Sequence, residues 1–460
     1  MPIKTAVILA AGEGRRIWPF NVVRNKCAIP VANLPLIRRT AEDLHRAGVN
    51  KMIVVTGAED GSIRAALRDS AIPVQFIEQP HRTGAADALR LAIPTFDDDS
   101  FLVLHGDLCL GPKTVQMLIH CKLDGASAAV LVDAAPADEE SGSWIGVKTE
   151  GGRLAEITGH DRDLTQRLTG AFILTRSIFP YLDAHPGLLK SVPVGGMPPM
   201  EANLDEPLVE LLEEGHTIAI IEPTDFAIDL DKPWHIVQAN RAVQWSLTSS
   251  LSENRLAKDA RISPSAEIEG YVELGEGSEI GSRVVVRGNA IVGAHTRIIN
   301  GAILDGSIMV GDHTRVSDYS LVTGGTVVGS QCIVGHGAEM DGVMFDRSYL
   351  YHYCEICGVV GCSVDIGAAT VCGTLRFDDD NQTHRIAGRR EKGGAGCNGT
   401  FYGDYSRTGV NVITMPGTKI GVYSCVGGGI VVYEDVADRS LLLLKQETMV
   451  KTWGPERYGW

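Results

Sequence analysis

From Ile262 to Met340 every sixth residue is apolar, fourteen in phase, ending Val316, Val322, Val328, Val334 and Met340. A helix repeats near 3.6 residues and a strand near 2, so neither writes this pattern. A period of six is the hexapeptide repeat of a parallel β-helix. Each six-residue piece makes one face of a triangular coil and every sixth side chain points inward. Glycines at 275, 281, 293, 311, 329 and 335 follow several of these positions and suit the corners. The phase is lost between Asp341 and Tyr353 and resumes at Val360, Ile366 and Cys372. A polar insertion, Asp378 to Asn398, reads as a loop projecting from the coil, after which Ile420, Val426 and Val432 restore the repeat. Prisms of this kind commonly associate about their long axis, so a homotrimer or a multiple is expected.

The first half is written differently. Apolar strands at Met52–Val55, Val74–Ile77 and Phe101–Leu104 alternate with amphipathic helices near Leu36–Ala47, Ile63–Arg68 and Ala85–Leu91. That alternation implies right-handed βαβ crossovers and a Rossmann-like, doubly wound, mostly parallel sheet, with ligands collecting at the carboxyl ends of the strands. The chain therefore divides into an α/β domain (1–233), a Gly-free linker helix (234–256), the β-helix (257–445) and a C-terminal tail (446–460) without repeat. The formal charge of −15 argues against nucleic acid or an anionic membrane as partner. No apolar run reaches the roughly 20 residues that span a bilayer. A strand begins almost at Met1, leaving no space for a signal peptide, and ten scattered cysteines suit a reducing, cytoplasmic setting. Cys354 and Cys357 beside His352 lack the second ligand pair that a zinc site needs.

At the end of the first strand Leu9-Ala10-Ala11-Gly12 leads to Gly14, Arg15, Arg16 and Lys26. Glycines let backbone N–H groups approach an anion, and the cations offset its charge, so this is the chemistry of a phosphate cradle. It is not a P-loop, since no Lys-Ser/Thr follows, and Ile17 stands where a dinucleotide fingerprint has its third glycine. An ordinary strand-to-helix turn is the plainer alternative. The stretch resembles the pyrophosphorylase loop of sugar-1-phosphate nucleotidyltransferases, with Gly12, Gly14, Arg16, Pro19 and Lys26 in register and Arg15 departing from the usual Thr or Ser. The resemblance implies that Leu9, Ala10, Ala11, Gly12 and Gly14 wrap a nucleoside triphosphate while Arg16 and Lys26 grip its phosphates.

Three further strand ends extend the resemblance. Glu78 to Gly84 resembles the base-reading loop, where Gln79, Gly84 and the adjoining Ala85 would meet a pyrimidine edge; a glutamine amide offers both donor and acceptor. A helix cap at Thr83 is the alternative. Asp107 follows a strand and a glycine, a place suited to a hard cation, and Asp229 repeats the arrangement. The resemblance makes both Mg²⁺ ligands, whereas each alone is more often a turn residue or cap. On the sugar side, Ser143-Trp144-Ile145-Gly146 and Thr169-Gly170 match sugar-contacting strands. Gly159 and His160 stand where the family carries a Glu-Lys pair that holds the sugar and its phosphate. Val192–Met200 is rich in Pro and Gly and reads as a loop over the site.

The second half resembles the left-handed β-helix of bifunctional sugar-1-phosphate nucleotidyltransferase/acetyltransferases of archaeal type, most closely at Leu375-Arg376-Phe377-Asp378 and Arg407–Val412. The general-base histidine of that family falls on Tyr351 without gaps, and on His352 only after a one-residue shift. Its asparagine falls on Thr374 and its lysine near Cys397. A packed or surface histidine is the alternative for His352, and acetyl-CoA is needed only if the second activity exists. The expected activity is Mg²⁺-dependent transfer of a nucleotidyl group from UTP or dTTP to a hexose 1-phosphate, releasing pyrophosphate. Two rivals stand beside it: a bifunctional enzyme that also N-acetylates an amino-sugar phosphate, and a non-catalytic nucleotide-sensing or scaffold subunit, which Gly159-His160 would favour.

Overall fold

The computed structural model describes residues 2–58, 60–139, 144–159, 164–184 and 201–454. Its N-terminal half is built on Thr5–Ala10 (β1), buried almost throughout because it lies inside a sheet covered on both faces. Helix Leu36–Arg46 (α1), strand Lys51–Thr56 (β2), helix Gly61–Leu67 (α2), strand Val74–Glu78 (β3), helix Ala85–Ala92 (α3) and strand Ser100–His105 (β4) follow, each within two residues of the sequence expectation. Then come Leu108–Leu110 (β5), Pro112–His120 (α4), Ala128–Ala134 (β6), Gly146–Glu150 (β7), Arg153–Gly159 (β8), Gln166–Thr175 (β9), Asp205–Glu213 (α5), Ile218–Ile221 (β10) and Ala227–Asp229 (β11).

The main sheet runs β3-β2-β1-β4-β9-β6-β10-β8-β7. It is mixed rather than mostly parallel. β9 enters between β4 and β6 antiparallel to both, and β8 is antiparallel to β7 and β10. The β7–β8 pair has a local cause: Gly151-Gly152, both at positive φ, close a two-residue hairpin between them, and so short a link cannot make a parallel crossover.

The helix expected over 234–256 is Pro233–Thr248 (α6). It stops where Thr248, Ser249 and Ser250 turn their hydroxyls back onto helix carbonyls, a competition that disfavours helix continuation. Arg255–Leu256 already pair with Glu273–Leu274 as the first strand of the coil. α6 is also no free linker, for Trp234, Ile236, Val237 and Ala239 are buried in one cluster with coil residues Val327, Val343, Val359 and Phe401.

In the coil, Ile262 pairs with Ile280, Ile298, Val316 and Val334 in succession, eighteen residues apart, and two further columns repeat the spacing. The inward residues form one continuous core from Val272 to Val436. The lost phase has a simple origin. In Glu339–Met344 (β12) and Glu355–Val360 (β13) a single strand rounds a corner and serves two faces, so the inward step is four residues and the turn shortens to sixteen. Gly342 and Gly358, each at φ 120°, sit at those corners.

The insertion after Asp378 does not project freely. It carries a hairpin, Thr383–Ile386 (β14) and Arg389–Lys392 (β15), folded back on the N-terminal half. Ile386 is buried in one cluster with Ile17 and Trp234, and the His384 ring lies 4.6 Å from that of Trp234.

Candidate active site

The glycine-rich turn leaves β1 and is fixed from both sides. Gly14 has φ 63°, and a Cβ there would lie 2.9 Å from the Lys26 Cβ, so only glycine lets the turn pass this closely. Asn25 accepts the Cys27 N–H at 2.9 Å and donates to the Ala10 carbonyl at 3.1 Å, which ties the Lys26–Ala28 turn to the end of β1. The coil grips the same segment. Trp18 donates to Asp438 at 3.1 Å, Arg24 pairs with Asp404, and the Phe20 ring meets Phe345 edge-on.

Facing this turn are the carboxylates. β11 pairs antiparallel with β5, and the Leu230 N–H donates to the Asp107 carbonyl at 3.0 Å, so Asp107 and Asp229 stand on adjoining strand ends. Both line one cavity of about 430 Å³, with Arg16, Ala85, Thr169 and Arg389 also on its wall. Lys26 pairs with Asp107 and lies 3.7 Å from Asp231, while Arg16 lies 2.8 Å from Asp231.

The titration behaviour follows. Burial first, and the Asp107 carboxylate second, push Asp229 up to about 6. Burial works against Asp107 ionising too, but Lys26 outweighs it and holds that carboxyl below the ordinary range. Burial opposes the Lys26 charge, yet Asp107, Asp229 and Asp231 raise the ammonium well above its ordinary value. One buried oxygen of Asp229, Oδ1, has no hydrogen-bond partner among the described residues. A pair of facing carboxylates with an orphaned oxygen fits a hard divalent cation, which takes one or two carboxylates from protein and completes its shell with water and substrate phosphates. The residues present therefore fit Mg²⁺.

Other expected residues are placed as follows. Gln79 is buried, and its amide nitrogen donates to Thr83, to the Gly84 carbonyl and to Asp87 at 3.1–3.2 Å. Thr83 bonds the Asp87 side chain, and the N-cap of α3 is Gly84 instead. A Cβ on Gly84 would fall 2.3 Å from the Ala202 carbonyl oxygen, so close packing of that segment requires glycine. Gly146 and Gly159 are cross-strand partners. The Thr169 hydroxyl donates to the Leu131 carbonyl at 3.1 Å. His160, Ser143 and Val192–Met200 lie outside the described residues. His352 is exposed at a corner of the coil, its ring edge-on to His336 and Tyr351, and the structure brings it to none of the residues above.

Sequence reasoning missed Asp231, which joins Arg16, Lys26 and Lys232. The signal was a second carboxylate two residues past Asp229, and a tight turn in which the Asp231 N–H donates to the Asp229 carbonyl at 2.8 Å brings it to the cations. It also missed Arg167, which lines the cavity, and Arg389, which reaches it from the far domain.

Residues 5–150 match the nucleotidyl transferase family model. A bifunctional sugar-1-phosphate nucleotidylyltransferase/acetyltransferase of Sulfurisphaera tokodaii is 28% identical over 437 residues, covering 94% of this chain and 98% of that protein. The bifunctional protein GlmU of Methanococcus vannielii is 27% identical over 454 residues, covering 97% and 99%. The low-salt glycan biosynthesis nucleotidyltransferase Agl11 of Haloferax volcanii is 24% identical over 275 residues, covering 59% of this chain and 72% of its own.

Proposed function

We propose, from the premise that residues 5–150 form a nucleotidyl transferase domain, that this protein transfers a nucleotidyl group from UTP or dTTP to a hexose 1-phosphate. The products are a nucleoside diphosphate sugar and pyrophosphate. The observation that carries the reading is the convergence of Arg16, Asp107 and Asp229 on one cavity, with Lys26 paired to Asp107. Both substrates are anions, and the acceptor phosphate is already ionised, so no general base is needed. An acceptor phosphate oxygen forms the new bond to the α-phosphorus while the bond to the pyrophosphate oxygen breaks. Arg16 and Lys26 take the charge that grows on the departing pyrophosphate. The turn from Leu9 to Gly14 positions the triphosphate, and Gln79, Gly84 and Ala85 border the base. Gly146, Gly159 and Thr169 border the sugar, and this positioning supplies much of the rate. Asp107 and Asp229 would hold Mg²⁺, which when bound shields the two anions from each other and polarises the reacting phosphate.

The test is pyrophosphate release with UTP or dTTP, Mg²⁺ and a panel of sugar 1-phosphates. Turnover with at least one pair is expected, and its loss in Asp107→Asn. Absence of pyrophosphate with every pair would overturn the reading.

Similarity along 94–97% of the chain to two bifunctional relatives favours a second activity in the coil, acetyl transfer from acetyl-CoA to an amino-sugar phosphate. Thiol release that disappears in His352→Ala is its test. The exposed Leu375, Phe377, Val410 and Tyr433 along the coil support a homotrimer, checked by light scattering.

A further inference from the structure

Arg167 is the cavity's unexplained charge. It lies on β9, is 7% exposed, and lines the same cavity as Asp107 and Asp229. Its guanidinium stacks over the Trp144 ring at 4.5 Å, yet among the described residues its buried Nε has no hydrogen-bond partner and no carboxylate pairs with it. Asp133 stands directly across from it on β6 but turns its Oδ1 to the Ala134 N–H instead. Arg167 thus presents a cation to this cavity with no carboxylate of the described residues beside it, and an anionic ligand bound there would supply the partner.

Position says which ligand. The sheet order β1-β4-β9 puts the glycine turn, the Asp107 strand end and Arg167 in that spatial sequence. Arg167 is therefore on the side of the carboxylates opposite the triphosphate turn. It is also the cross-strand partner of Gly146, which in turn partners Gly159. The three positions lie abreast on β9, β7 and β8, and only the one on β9 carries a side chain. β9 breaks its register with β6 just after Leu168, and Gly170 at φ 87° bends it around His105, opening the strand toward the cavity.

We propose that Arg167, held by Trp144, is the receptor for the phosphate of the sugar 1-phosphate, presenting a cation from β9 where the neighbouring positions on β7 and β8, Gly146 and Gly159, carry no side chain. The inference rests on the proposed nucleotidyl transfer. A planar guanidinium fork suits a phosphate bidentately, and stacking on an indole keeps it aimed when the site is empty.

The test compares the wild-type protein with Arg167→Gln and Arg167→Lys, each first checked by circular dichroism and thermal melting. Equilibrium dialysis with a panel of radiolabelled sugar 1-phosphates, in the absence of nucleotide, reads the inference without turnover. Wild type is expected to bind at least one. Arg167→Gln should bind it about 10- to 100-fold more weakly, and Arg167→Lys should lie between. In steady state the KM for sugar 1-phosphate should rise by the same factor while the KM for nucleotide stays within about 3-fold. Folded Arg167→Gln that binds as wild type does, or as well as Arg167→Lys, overturns the inference, as does a wild type that binds no sugar 1-phosphate. Wild-type binding without pyrophosphate release overturns the activity and leaves the receptor standing.

Discussion

Lys232 Nζ lies 2.8 Å from a carboxylate oxygen of Glu391, an ion pair closed off from solvent that joins the α/β domain to the hairpin of the coil insertion. On its other side Lys232 meets Asp231 at 2.9 Å, and Asp231 holds Arg16 at 2.8 Å. A continuous row of alternating charges thus runs from the insertion to the phosphate turn. Removing one member of a buried pair leaves the other charge uncompensated, at a cost of about 3–5 kcal/mol, whereas replacing both by apolar groups is much cheaper. Lys232 keeps Asp231 when Glu391 is neutralised, so Glu391→Gln is expected to lose about 1–3 kcal/mol in denaturant titrations and to lower kcat, because Arg16 loses its far anchor. Lys232→Met combined with Glu391→Leu should recover most of the stability. A single variant as stable as wild type would show that the row does not hold the domains together.

The carboxylates make a second prediction. Asp107 and Asp229 share one cavity, and Lys26 pairs with Asp107 rather than with Asp229; neighbouring like charges destabilise a fold. Asp229→Asn removes that repulsion, so in chelator the variant should melt above wild type. Mg²⁺ should raise the melting temperature of wild type by mass action and leave the variant unmoved. Turnover should vanish in the variant and, reversibly, in wild type treated with chelator. Equal Mg²⁺ shifts in both proteins would remove Asp229 from the metal site.

Much of this was legible in the sequence for identifiable reasons. The coil could be read because inward positions such as Ile280 and Val286 are chosen by one geometry repeated many times. The phosphate turn was readable because Gly14 and Lys26 must meet at close range. What escaped were relations between distant segments. Nothing near Arg167 says that Trp144 will lie beneath it, and nothing in Asp378–Asn398 says that Glu391 will meet Lys232. The mixed sheet was missed because a parallel reading of the first four strands was extended past Gly151-Gly152, whose two-residue spacing already signalled a hairpin.

His384 gives the pH prediction. Its Nε2 donates to the Cys397 carbonyl at 2.9 Å and its Nδ1 faces Lys419 at 3.4 Å. Lys419 pairs with Asp435, the rings of Trp234 and Phe401 cover the imidazole, and Arg376, Arg385 and Arg390 line the adjoining cavity. Burial, then the Lys419 charge, depress His384 to about 3. The unfolded chain binds this proton near the ordinary value of about 6.5, so between those limits the unfolded state holds more protons. Stability therefore falls as pH drops from about 6.5 toward 3, by about 1.4 kcal/mol per unit from this group. His384→Gln is expected to flatten the dependence of stability on pH in that window. Unchanged slopes in wild type and variant would mean that the hairpin is not held by a neutral histidine.

The corner glycines of the shortened turns give the last prediction. At Gly358 a Cβ would lie 2.3 Å from the Thr400 carbonyl oxygen, and the φ of 120° is one that other residues rarely adopt. Gly429 has a φ of 71°, but a Cβ there would meet nothing within 4 Å. Both carry backbone strain, and only Gly358 adds a clash with a strand that the packed coil cannot move. Gly358→Ala should therefore cost roughly 2–6 kcal/mol, the sum of strain and overpacking, against about 1–2 kcal/mol for Gly429→Ala. Denaturant midpoints of the two variants measure the difference. Equal losses would mean that the sixteen-residue turn tolerates a side chain at its corner, and the account of how the repeat shifts phase would have to be replaced.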